Sequence, residues 1–159
     1  MDFPRRIYTQ VEVAKANELI QKGHKHILIC DGSVIFRQKV NEAIRLIKVA
    51  GYYDFFRTYV RKVEQVDGLT QLRQADATIW TNIYGVENAV DASSMFVQKA
   101  SQMKEYLEGE LYYGGAAERR ADEKRVDFLK ALRASTDEES VKEECERILA
   151  LWRESHWVY

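Results

Sequence analysis

Apolar residues recur at helical spacing over most of the chain, interrupted in its first half by three short strand-like runs. Thr9-Gln10-Val11-Glu12 is a capping box, in which threonine oxygen and glutamate each satisfy backbone donors at a helix start. Val11, Ala14, Leu19 and Ile20 carry that helix to Lys22, and Gly23 ends it. Ile27-Leu28-Ile29-Cys30 is continuously apolar, the pattern of a parallel strand covered on both faces, and this predicts a central place in a sheet. Asp31-Gly32-Ser33 then turns the chain into a helix from about Val34 to Ala50. Phe36, Val40, Ala43, Ile44 and Ile47 share one of its faces, and Gly51 stops it. Strand, tight turn and helix in that order open many α/β folds.

The next segment, Tyr52 to Val66, fits two patterns. Its aromatic and β-branched content favours a strand over roughly Phe56 to Val63, while the spacing of Phe56, Val60 and Val63 suits a helix. Glycines at 51 and 68 bracket it, and the strand is the reading adopted. Asp67-Gly68 then opens a short helix containing Leu69, Leu72 and Ala75, and Asp76 to Asn82 reads as a third strand.

From Asp91 the pattern is helical throughout. Asp91 or Ser93 caps a helix whose face holds Phe96, Ala100, Met103, Leu107 and Leu111. Gly114-Gly115 breaks it, and Ala116 to Arg133 follows. Thr136 to Glu139 forms a second capping box ahead of the stripe Val141, Cys145, Ile148 and Trp152. The prediction is an α/β fold with a three-stranded, mainly parallel sheet flanked by helices and a helical C-terminal third. It is read as a single domain over residues 1–159, with an α/β part (1–88) and a helical part packed on it (89–159).

Composition narrows the classes of function. A net charge of −1 argues against a dedicated nucleic-acid binder, which carries a basic surplus. The longest apolar runs are too short to cross a bilayer, and Met1 to Arg6 lacks the apolar core of a secretory signal, so a cytoplasmic protein is expected. Cys30 and Cys145 lie inside apolar patterns and read as reduced, buried thiols rather than a disulfide.

The best candidate site is the turn after the first strand. In an open parallel sheet the strand C-terminal ends gather at one edge, where a helix N-terminus offers free N–H groups to an anion. Asp31, Gly32, Ser33 and Arg37 would meet Thr81 and Asn82 of the third strand there, around a small anionic or nucleotide-like ligand. Asp-Gly-Ser ahead of a helix is equally ordinary capping chemistry. No Gly-x-x-x-x-Gly-Lys-Ser/Thr and no Gly-x-Gly-x-x-Gly is present, which removes the P-loop and the usual dinucleotide motif. Six residues separate Cys30 from Arg37 where the cysteine-phosphatase loop has five, and a core role for the thiol is favoured.

His24 and His26 share a strand face but lack the further ligands a metal needs, so a pair of surface histidines is expected and no metal site. Three histidines give no Ser-His-Asp set, and no cofactor or reaction follows from the sequence. Tyr52, Tyr53, Phe55, Phe56 and Tyr59 interleave with Arg57, Arg61 and Lys62, as on a single-stranded nucleic-acid platform or on a half-buried strand. Glu118 to Arg125 reads as a solvated helix surface with pairs such as Arg119–Glu123. Trp152 with Trp157 and Tyr159 of the aromatic tail is the alternative to a ligand site: a surface through which the C-terminal helices dock on a second copy or another protein.

Overall fold

The capping box at Thr9 starts helix α1, Gln10–Gln21, with Glu12 accepting the Thr9 and Tyr8 amides at 2.8 Å each. This computed structural model describes residues 2–156. Strand β1, Ile29–Asp31, leads through Ser33, whose hydroxyl accepts the Phe36 amide at 3.1 Å, into α2, Val34–Val49. Then come α3 (Tyr53–Tyr59), β2 (Lys62–Gln65), β3 (Gln71–Arg73) and β4 (Thr78–Thr81). Three long helices complete the chain: α4 (Ala89–Leu107), α5 (Gly115–Ser135) and α6 (Glu139–His156). The class is mixed α/β with a helical C-terminal third, as the sequence predicts.

The sheet differs from the prediction in number, order and cover. Four strands lie in the order β1-β2-β4-β3, with β1, β2 and β4 parallel and β3 antiparallel on the far edge. β1 is therefore an edge strand, not a central one. Its apolar run is covered on one face only: Leu28 and Cys30 pack on the core, whereas Ile27 is 89% and Ile29 50% exposed. Cys30, Val63, Ile79 and Leu72 stand in register and face the main core, which takes side chains from α2 to α6. The opposite face mixes charged side chains with Ile29 and Trp80: Lys62 pairs with Glu64 at 3.0 Å and Arg73 lies over the Trp80 ring. The helices thus gather on one face rather than flanking both.

Two element assignments also change. Tyr53–Tyr59 is helical because Phe56 must reach Phe96 while Tyr52, Phe55 and Tyr59 pack at the core's margin, a 3.6-residue requirement; only Lys62 onward pairs with β1 and β4. The predicted helix around Leu72 is instead β3 followed by one 3₁₀ turn, Gln74–Asp76, since Leu72 pairs opposite Ile79. A second, smaller core joins Ile7, Ala16, Ala77, Met103 and Leu107, tying α1 and the N-terminal arm to the C-terminal half of α4. Arg61 fixes that arm by donating to the carbonyls of Pro4 (3.2 Å), Arg5 (2.8 Å) and Asp76 (2.9 Å).

Candidate functional site

At the C-terminal end of β1 the turn is already filled. Gln65, the last residue of β2, accepts the Ser33 amide at 2.8 Å through Oε1. A Cβ on Gly32 would lie 2.8 Å from Gln65 Cβ and 2.7 Å from the Phe36 ring. Glycine is required because Gln65 and Phe36 occupy that space. Asp31 is exposed and lies 3.6 Å from Lys62, and Arg37 is exposed one turn into α2. Because β2 lies between β1 and β4, Thr81 stands two strand spacings from Asp31, roughly 10 Å. The six residues expected to share one crevice are therefore split into two groups. The order of the three parallel strands also never reverses, so the sheet has no switch point beside β1.

The Thr81 and Asn82 end is organised differently. Thr81 is fully buried and its hydroxyl meets that of Thr70, just before β3, at 2.7 Å. Asn82 donates to the Gly68 carbonyl and accepts the Gly85 amide, both at 2.9 Å, which staples the β2–β3 and β4–α4 loops together. Gly85 passes so close to this knot that a Cβ there would overlap the Thr81 hydroxyl and sit 3.3 Å from that of Thr70. Beside the knot opens a cleft of about 310 Å³, lined by Thr70, Gly85, Asp91, Met95, Gln98, Lys99 and Arg125. Asp91, Met95, Gln98 and Lys99 fall on one face of α4 by their spacing.

Electrostatics single out Lys99. Arg125 reaches across from α5 and is held by Asp91 (2.7 Å) and the Ser94 hydroxyl (2.8 Å), with its guanidinium 5.2 Å from the Trp152 ring centroid. Lys99 has no acidic partner among the described residues. Burial, reinforced by the Arg125 charge beside it, holds its ammonium below the usual lysine range. A cleft whose ammonium is both shielded from water and uncompensated favours an incoming anion. A larger groove of about 510 Å³ runs between α5 and α6, lined by side chains such as Glu123, Asp127, Lys130 and Arg153. It is built from helices alone and lacks the hydroxyls and close loop backbone of the β4 cleft.

The other sequence candidates find structural employment. Burial raises the Cys30 thiol's pKa, with Arg37 opposing, and pushes Cys145 up to about 11, so neither is an activated nucleophile. His26 is not at the surface: it is 4% exposed and packs against the rings of Phe3 and His24. No group of three metal-binding side chains occurs among the described residues. The rings of 52–59 are taken up internally, Tyr52 against Phe128 and Tyr53 under Lys48 and Arg57. The charged run of α5 is not wholly solvated either, since Arg120 reaches Glu105 at 3.1 Å and Arg125 reaches Asp91. Trp152 packs against the core, while Trp157 and Tyr159 lie outside the described residues. No described helix is long and apolar enough to cross a membrane.

Sequence reasoning missed Lys99 and Arg125. Lys99 stands beside Ala100 in an ordinary amphipathic helix, and Arg125 ends a run of alternating charge, so neither carries a local signal. Only the tertiary approach of α5 to α4 joins them to Thr70 and Gly85. No protein-family model, curated protein or solved structure matches this chain.

Proposed function

We infer that this chain binds a small anionic or nucleotide-like ligand in the cleft beside the C-terminal end of β4. The observation that carries the reading is Lys99: a shielded ammonium without a counter-ion, next to an arginine already committed to Asp91. In this reading Lys99 supplies the charge, the Thr70 hydroxyl and Gln98 amide supply directional hydrogen bonds, and Thr81 and Asn82 hold the loops in place. The volume of about 310 Å³ suits a phosphorylated or carboxylated metabolite rather than a polymer. Tyr84, 80% exposed and adjacent in the chain to Gly85, offers a ring near the rim for a nucleotide base.

Thermal shift tests this with inorganic phosphate, adenosine monophosphate and citrate as probes. A ligand at ten times its dissociation constant stabilises the folded form by about 1.4 kcal/mol. The melting temperature of the wild type should rise with at least one probe, and that rise should vanish in Lys99→Met. Equal shifts in wild type and variant would refute the site.

A further inference from the structure

We propose that Lys99 forms a reversible imine with a small oxo acid, so that the cleft beside β4 holds its ligand by a covalent bond as well as by charge. This step rests on the anion-binding reading of the cleft and narrows the ligand to one that also carries an aldehyde or ketone group. Lys99 is half-buried in the wall of a cleft of about 310 Å³ and has no ion-pair partner among the described residues. The carboxylates that meet the cleft's lining are engaged with other groups: Asp91 accepts from Arg125 at 2.7 Å, and Asp122 accepts from the Gln98 amide at 3.1 Å. The charge beside Lys99 is instead the Arg125 guanidinium. Burial first, then that neighbouring cation, make the ammonium give up its proton more readily than an exposed lysine does. An amine kept partly neutral in a cleft is a nucleophile, the condition under which lysines add to carbonyl carbon. A site built only to hold an anion gains nothing from this, since arginine would keep its charge there.

Arg125 assigns the second group of the ligand. Its Nε donates to the Ser94 hydroxyl at 2.8 Å and its Nη2 to Asp91, while Nη1 has no hydrogen-bond partner among the described residues. Nη1 is thus a free charged donor in the same cleft, suited to a carboxylate. The step balances without a further reactant. Lys99 yields one proton, and its nitrogen adds to the carbonyl carbon as an N–H proton passes to the oxygen. Reprotonation of that hydroxyl then breaks the C–O bond and releases water. The iminium keeps the single positive charge of the original ammonium, so a carboxylate drawn in by that charge stays paired, and nothing is oxidised or reduced.

Reductive trapping of the full chain at pH 7 tests the step, with pyruvate as the oxo acid and acetone as the carbonyl lacking a carboxylate. Sodium cyanoborohydride reduces an imine to a stable secondary amine, and peptide mass spectrometry locates the labelled lysines. Pyruvate should label Lys99 faster than each remaining lysine by about tenfold, and acetone should label it more slowly than pyruvate does. Lys99→Arg keeps the charge and loses the nucleophile, so it should retain the rise in melting temperature with phosphate and show no fast-labelled lysine. Even labelling across the lysines overturns the imine. If phosphate still stabilises the wild type in that case, the anion site stands without covalent chemistry; if it does not, both readings fall. Labelling of Lys99 by acetone as fast as by pyruvate overturns the assignment of an oxo acid.

Discussion

His26 gives the chain a calculable sensitivity to acid. Its ring is 4% exposed, packed on Phe3 and His24, and its Nε2 has no hydrogen-bond partner among the described residues. Burial, then the neighbouring charges of His24, Arg61 and Arg57, pull its pKa down from 6.5 to about 3. In the unfolded chain the imidazole takes up a proton near pH 6.5, whereas the folded protein refuses it until about pH 3. Unfolding therefore binds a proton across that window, and stability falls as pH falls through it. Linkage gives a loss of ~2 kcal/mol between pH 7 and pH 5, growing to ~4 kcal/mol by pH 3. The figure at pH 5 is set almost wholly by the unfolded state, since a ring that stays neutral in the fold at that pH contributes nothing further. Urea unfolding of wild type and His26→Leu at pH 7 and pH 5 isolates this contribution, because carboxylates and His24 titrate in both proteins. The wild type should lose about 2 kcal/mol more than the variant over that interval. Equal losses would show that His26 is protonated in the fold, and the packing described for the N-terminal arm would be wrong.

Three further outcomes follow from the geometry. Gly85→Ala forces a Cβ into the Thr81 hydroxyl and should cost ~1–3 kcal/mol in urea unfolding; in a Thr81→Ala background much of that penalty should disappear. Arg61→Leu removes the donor shared by Pro4, Arg5 and Asp76 and should cost ~2–4 kcal/mol, with faster amide exchange at Ile7, whose N–H bonds Ala75 at 2.8 Å. Exchange at Ile7 no faster than in wild type would mean the arm is held by its apolar contacts alone. Cys30, its thiol pKa raised by burial, should react with iodoacetamide more slowly than free cysteine at neutral pH, and a faster reaction would restore it as a candidate nucleophile.

Much of the fold could be read from the chain because local signals and tertiary packing agree there. The capping box at Thr9, the Ser33 cap of α2 and the apolar stripes of α5 and α6 appear where the pattern puts them, whereas α4 is capped by Asn88 rather than Asp91 or Ser93 and ends at Leu107, leaving Leu111 65% exposed beyond it. Phe56 to Tyr59, expected as the start of a strand running to Val63, is the instructive failure. Its aromatics have strand propensity, yet the segment is a helix because Phe56 is needed against Phe96 and helical spacing delivers it. The apolar quartet at 27–30 misled for another reason. Continuous apolarity predicts cover on both faces, but Ile29 on the edge strand and Ile27 just before it remain in solvent. Of the candidate site, Thr81 and Asn82 were legible as polar residues at a strand end. Thr70, Lys99 and Arg125 were not, since they come from the β2–β3 loop and two separate helices and meet only through tertiary packing.

The side-chain nitrogen of Lys99 reports on both its charge state and its company. Nuclear magnetic resonance of ¹⁵N-labelled protein, with the Lys99 Nζ signal assigned by its loss in Lys99→Met, gives the titration curve directly. Without ligand the signal should titrate below the ordinary lysine value of 10.5, and saturating phosphate should move the midpoint upward as an anion fills the cleft. A midpoint at or above 10.5 that phosphate leaves unmoved would mean that Lys99 is solvated or already paired, and the cleft would have no claim on an anion.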